Sequence, residues 1–168
     1  SEPSANAVLV VADESEEFPL ALTYAGELAR RTGWRLILLR VVEPNDPAPW
    51  ASISEEMRRQ AQDAAESLTQ RFAAEVWAEC GITAETMIRD GDLKPELRKL
   101  LEEDPSISLL VLASEAGPRG PGPLVAQLGR SAGLGGRAVP VLVVPGGLTR
   151  AQVRALALPV GAPVGAKP

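Results

Sequence analysis

Histidine is absent from the 168 residues. Its absence removes the usual general base, the Ser-His arrangement and the commonest zinc ligand together. Any catalysis therefore falls to carboxylates, Lys or a bound metal. Cysteine is scarce too: Cys80 is the single one, so no intrachain disulfide can form, and a reducing cytoplasm is the expected setting. At the end of a helix, Cys80 reads as a buried structural thiol. Long hydrophobic runs are missing, so no membrane span and no membrane partner are expected, and residues 1–6 lack the order of a signal peptide. An excess of positive charge is missing as well. The net charge of -5 argues against a nucleic-acid partner, whose binding rests on clustered Lys and Arg.

What is present is one α/β unit. Ala7–Ala12 is a continuous apolar run, as expected of a central strand buried on both faces. Residues 16–31 follow as a helix with Leu20, Tyr24, Ala25 and Leu28 on one face, acids in its first turn and Gly33 as its stop. The second strand is expected over Leu36–Val42, interrupted only by Arg40. The longest helix lies between Ser52 and Gly81, opened by the capping box Ser52-x-x-Glu55. Its stripe of Met57, Ala61, Ala64, Leu68, Phe72 and Val76 reads as core, and Arg58, Asp63 and Arg71 as a solvated face.

Ala84–Arg89 suits a sheet edge, and Asp92–Glu103 a helix carrying Leu93, Leu97, Leu100 and Leu101, stopped by Asp104-Pro105. Ser108–Ala113 and Val139–Val144 complete five strands. Their alternation with helices predicts an open, doubly wound parallel sheet with helices on both faces and right-handed crossovers. Residues 1–6 read as an N-terminal extension, 7–158 as the domain and 159–168 as a flexible tail too poor in apolar surface to order itself. Trp34 and Trp77, beside helix-ending glycines, are expected to be partly buried.

The first strand-to-helix turn, Asp13-Glu14-Ser15-Glu16-Glu17, holds four carboxylates and no glycine, which disfavours a dinucleotide-binding turn. No GxxxxGK[ST] occurs, which excludes a P-loop. The loop after the fourth strand, Gly117-Pro-Arg-Gly-Pro-Gly-Pro, admits two readings. Either the amides of Gly117, Arg119, Gly120 and Gly122 cradle phosphates, or three prolines make it a rigid connector whose Pro123 starts a helix. Asp13 likewise either meets a ligand or caps the first helix. Trp50 is either a packing staple or a lid over a bound base.

With these segments in their order, VLVVADESEE (Val8–Glu17), ALTYAGELARRTGWRLILLRVVEP (Ala21–Pro44), IRDGD (Ile88–Asp92), LLVLAS (Leu109–Ser114) and VPVLVVP (Val139–Pro145), the chain resembles the universal stress protein family. The resemblance implies a Rossmann-like five-stranded sheet of order 3-2-1-4-5 and a homodimer through the last strand. It further implies, for one branch of the family, ATP held by Gly-x2-Gly-x9-Gly-[Ser/Thr]. Gly117 and Gly120 match the opening of that pattern; Gly129 follows after only eight residues, and Arg130 precedes Ser131. Ser114 stands at the strand end beside Glu115. The family's adenosine contacts fall on Asp13, on Val41 or Val42, and on Gly91.

By that resemblance the chain is a non-enzymatic stress-response or regulatory protein with an unidentified protein partner. It binds ATP or AMP at the carboxyl ends of the strands, with Mg²⁺ only alongside ATP. Two alternatives stand beside it. One is a weak ATP hydrolase or phosphoryl-transfer enzyme with Asp13 or Glu115 helping to hold Mg²⁺, and the other a structural dimer with no nucleotide site.

Overall fold

The computed structural model describes residues 6–43, 51–115 and 138–157, with the side chains of 51–54 outside that set. Five parallel strands form one sheet of order 3-2-1-4-5: β1 (Ala7–Val11), β2 (Arg35–Val42), β3 (Ala84–Asp90), β4 (Ile107–Ser114) and β5 (Val141–Pro145). The helices are α1 (Phe18–Thr32), α2 (Ala51–Cys80), α3 (Leu93–Glu103) and α4 (Arg150–Leu156).

The central strand explains its own composition. Val8 and Val10 face the core shared by α1, α2 and α4, while Ala7, Leu9 and Val11 face the core built on α3. With both faces covered, the period-two alternation of a half-exposed strand disappears and the run reads as unbroken Val and Leu. Each of its five residues is at most 1% exposed. On the α1 side, Phe18 meets Phe72 of α2 edge-to-face, with ring centroids 4.6 Å apart.

Helix α1 begins at Phe18 with Pro19 in its first turn, so Glu16 and Glu17 precede the helix and do not lie in its first turn as expected. Proline's fixed φ suits that position, and its missing N–H leaves no intrahelical bond unmade. Gly33 ends α1 at φ 76°, the left-handed conformation that stops a helix cheaply only at glycine. At Gly26 a Cβ would lie 2.5 Å from Val76 Cγ2 and 2.9 Å from Cys80 Sγ, so α1 and α2 approach here more closely than any side chain allows.

Helix α2 already runs from Ala51, which puts Ser52 inside its first turn, not ahead of it. Its stripe is core only along part of its length. Ala65, Thr69, Phe72, Val76 and Cys80 are buried and Leu68 half-buried, but Ala64 is exposed and Met57 is 44% exposed. The first turns overhang the carboxyl edge of the sheet, where the apolar period continues without a strand beneath it. Arg58, Asp63 and Arg71 are exposed as expected. Trp77 corrects a further expectation: it is 60% exposed, on the outer face of α2, whereas Trp34 packs against the core.

The edges differ. On β3 the charged Glu85 and Arg89 are tied to Arg35 (2.7 Å) and Glu103 (2.8 Å). Charge of this kind discourages edge-to-edge pairing. The ladder of β5 starts at Val141, not Val139, since Pro140 has no N–H to donate; its carbonyl still accepts from Leu110 N–H at 2.9 Å.

Helix α4 was not legible as an element, although Thr149-x-x-Gln152 is a capping box whose two reciprocal bonds both form. It lies against α1, where Arg31 Nη1 donates to Ala157 O at 3.1 Å. Glu79 of α2 pairs with both Arg150 and Arg154 of α4 and accepts from Thr23 of α1. Among the described residues no helix is long and apolar enough to cross a membrane.

Candidate functional site

At the carboxyl ends of β1 and β2 the chain opens a cleft of about 460 Å³. Its floor is the end of β1 (Val11, Ala12) and of β2 (Arg40 to Glu43), and one wall is the overhanging part of α2 (Ala61, Ala64, Ala65, Leu68). The topology makes this opening. Chain leaves both β1 and β2 for helices on the same face of the sheet, α1 and α2, and the cleft lies between the strand ends and the first half of α2. A volume of this order suits a small organic ligand.

Asp13 stands in the turn leaving β1. It does not cap α1: its Oδ1 accepts from Ser15 N–H at 2.8 Å and from the Ser15 hydroxyl, closing an Asx turn. Among the described residues Oδ2 makes no hydrogen bond, so one oxygen is fixed by the turn and the other lies available to a ligand hydroxyl. Val41 and Val42 line the cleft beside it. Gly91 does not line it but supports it, because its N–H donates to Val42 O at 3.0 Å. Gly91 has φ +138°, and a Cβ there would come within 3.0 Å of the Glu96 carboxylate, so both backbone and space favour glycine.

Ser114 ends β4, two strands across from β2, and its carbonyl accepts from Gly146 N–H at 3.0 Å. It does not border this cleft. Gly117, Arg119, Gly120, Gly129, Arg130 and Ser131, proposed from sequence for the phosphates, lie outside the described residues, as does Trp50. The structure thus brings together Asp13, Val41 and Val42, with Gly91 behind them.

Sequence reasoning missed two components. Ala61 and Ala64 of α2 carried the wrong label, as core, when their small size leaves room between helix and sheet. Arg40 was noted only as an interruption of β2. Among the described residues it is the sole cation lining the cleft, against the carboxylates of Asp13, Glu14 and Glu43. Its Nη1 donates to Ala12 O at 3.3 Å, and Nη2 lies 3.5 Å from Glu14 Oε1. The signal was available: a guanidinium at the carboxyl end of an otherwise apolar buried strand needs a reason.

Cys80, by contrast, is remote from the cleft and buried between α1 and α2. Burial, followed by the neighbouring Glu27 carboxylate, pushes its thiol up to about 11. It is an inert packing group.

Taken together, the sheet order, the parallel register and the cleft over the strand ends define an open α/β domain of the kind that binds ligands at the carboxyl edge. A sequence model described as the universal stress protein family matches residues 5–129, and the chain belongs to that family. Solved structures agree in fold. The universal stress protein UspA from Lactobacillus plantarum superposes with TM-score 0.69 at 20% identity, covering 83% of this chain and 97% of its own. The universal stress protein from Archaeoglobus fulgidus, in complex with dAMP, gives 0.58 at 14%, covering 84% and 98%. A universal stress protein family member from Arabidopsis thaliana with AMP bound gives 0.53 at 20%, covering 83% and 91%. No curated protein matches the chain.

Proposed function

We propose that this chain is a non-enzymatic regulatory protein of the stress response that binds an adenine nucleotide in the β1–β2 cleft. The observation that carries the reading is the Asx-turned Asp13 with one carboxylate oxygen unbonded, set beside the Val41 and Val42 strand end in a cleft of nucleoside size. A carboxylate oxygen accepts from a ribose hydroxyl, and the apolar walls from α2 suit the flat face of a base. The dAMP and AMP complexes of the two relatives support the choice of ligand.

The phosphates leave the base and ribose toward the Gly117–Gly120 loop in this reading, with Arg119 and Arg130 supplying charge. Asp13, Glu14 and Glu43 oppose phosphate within the cleft itself, so ATP gains little over AMP. Mg²⁺ accompanies ATP only. The non-enzymatic assignment rests on chemistry: with no histidine in the chain and its one thiol buried elsewhere, no side chain of ordinary base strength near neutrality borders the cleft.

The proposed assembly is a homodimer paired through β5, the last strand in the sheet order, where Val141 is 45% and Val143 39% exposed. The proposed setting is the cytoplasm. Mass spectrometry of the denatured, purified protein is expected to release an adenine nucleotide, and calorimetry to show AMP and ATP binding alike without phosphate release. Absence of binding by either nucleotide overturns the reading, and phosphate release at a steady rate replaces it with a hydrolase.

A further inference from the structure

Arg40 reaches from the end of β2 to both sides of Asp13. Leu36 and Leu38 face the core shared by α1, α2 and α4, and the alternation of the strand turns Arg40 to that same side, at the outer end of the run. Ala12 N–H donates to Leu39 O at 2.7 Å, the outermost backbone bond between β1 and β2 among the described residues. Past that bond a side chain takes over. Arg40 Nη1 donates to Ala12 O at 3.3 Å and Nη2 lies 3.5 Å from Glu14 Oε1, so one guanidinium holds the residues that precede and follow Asp13.

The guanidinium is not seated for its own satisfaction. Its Nε is buried and has no hydrogen-bond partner among the described residues, too enclosed to meet a ligand. A leucine at this position would extend the apolar face of β2 with no donor stranded, the less costly choice where only the fold is concerned. A leucine could not hold the turn that leaves β1. The two prongs are unequal: the Glu14 side chain is 76% exposed and gains mainly neutralisation, whereas the bond to Ala12 O is charge-assisted and sits at the end of the ladder.

Asp13 is rigid within its turn, because Oδ1 is closed on Ser15, but that turn lies beyond the last paired residue of β1. Internal rigidity does not set where the turn stands over β2. Val41 and Val42, the other half of the proposed nucleoside site, directly follow Arg40 in the chain. The guanidinium therefore ties the free Asp13 oxygen to the Val41–Val42 strand end, and a polar group displaced by about 1 Å from its partner loses most of its contact.

We propose that Arg40 is a positioning residue of the cleft: by holding Ala12 and Glu14 it fixes where the Asp13 carboxylate meets the hydroxyls of a bound nucleotide, without itself touching the ligand. The inference rests on the nucleotide reading above and adds to it a residue that acts through Asp13.

The test measures by calorimetry the ratio of affinities for AMP and 2′,3′-dideoxyadenosine monophosphate, which differ only in the ribose hydroxyls. Base and phosphate are common to both, so the glycine loop and the charge of the cleft cancel in the ratio. Wild type is expected to bind AMP about tenfold more tightly, the scale of one hydrogen bond to a charged group. Arg40→Met keeps the length of the side chain and removes the fork, and is expected to bring the ratio near unity. Arg40→Lys keeps the charge but cannot hold both partners, and is expected to do the same, which keeps the test available should the methionine variant fold poorly. A merely structural role would weaken both nucleotides by one common factor and leave the ratio unmoved.

If a folded variant keeps the wild-type ratio, or if wild type binds the two nucleotides equally, Arg40 does not act through Asp13 and the inference falls while nucleotide binding stands. If wild type binds neither, the nucleotide reading itself falls.

Discussion

The two halves of α2 share one helix and one apolar period, yet they have opposite surroundings. From Ala65 to Cys80 the inner face is buried against α1 and the sheet, closely enough that Gly26 admits no Cβ. From Glu55 to Ala64 the helix overhangs, with Met57 and Ala64 exposed and alanines facing a cleft. The difference teaches that a single rigid rod serves here as foundation at one end and as site wall at the other. Packing at the Cys80 end sets where the wall stands, and the two halves meet at Ala65 and Leu68, which both line the cleft and pack inward.

The comparison breaks first if the foundation tolerates damage. Phe72→Ala is expected to lose roughly 3–5 kcal/mol in denaturant unfolding, since it empties a buried site that Phe18 cannot refill from α1. A loss below about 1 kcal/mol, the level of an ordinary substitution, would remove the distinction between the halves. Gly26→Val comes next, at about 1–3 kcal/mol of overpacking against Val76 and Cys80, read from the same titrations.

The third effect is a pH dependence. The Cys80 thiol is pushed up to about 11 in the folded state from an ordinary 9.0, so the unfolded chain releases its proton first as pH rises. The stability this contributes is complete below pH 9, and is lost as pH climbs through about 11. Wild type is expected to lose more stability over that interval than Cys80→Ala does; parallel curves would show the thiol to be accessible.

The smallest effects belong to the overhang. Met57→Ala is expected to change stability by no more than about 0.5 kcal/mol. Ala64→Trp is expected to leave the melt equally untouched while filling the cleft, so nucleotide affinity falls by at least about tenfold. Loss of stability in either variant would mean that the outer half carries core after all.

The strands and α3 were legible because burial on one or both faces writes itself into the residue pattern: Val8 to Val11 unbroken, and Leu93, Leu97, Leu100 and Leu101 at helical spacing, all buried. Periodicity states which face of a helix is apolar, not whether anything covers it. That is why Met57 and Ala64 were misread with Phe72 and Val76, and why Trp77 was expected indoors. Asp13 was legible at the end of β1, beside the cleft, but not as the centre of an Asx turn, because capping and turn closure use the same oxygen and differ only in where the helix begins. Arg40 was visible as an exception within an apolar strand, and its meaning depended on what the neighbouring helix left uncovered. Helix α4 had only its cap to announce it, its single buried residue being Val153.

The anchoring of α4 has a practical consequence. Chain enters the described structure at Asn6, whose carbonyl accepts from Arg35 N–H at 3.1 Å at the start of β2, and leaves it at Ala157, whose carbonyl is held by Arg31 at the end of α1. Both points lie at the amino edge of the sheet, a full strand length from the cleft. Fluorophores, affinity handles or surface-immobilising groups joined beyond either point therefore start on the far side from the ligand. Asn6 and Ala157 are thus points from which an attached group begins away from the cleft.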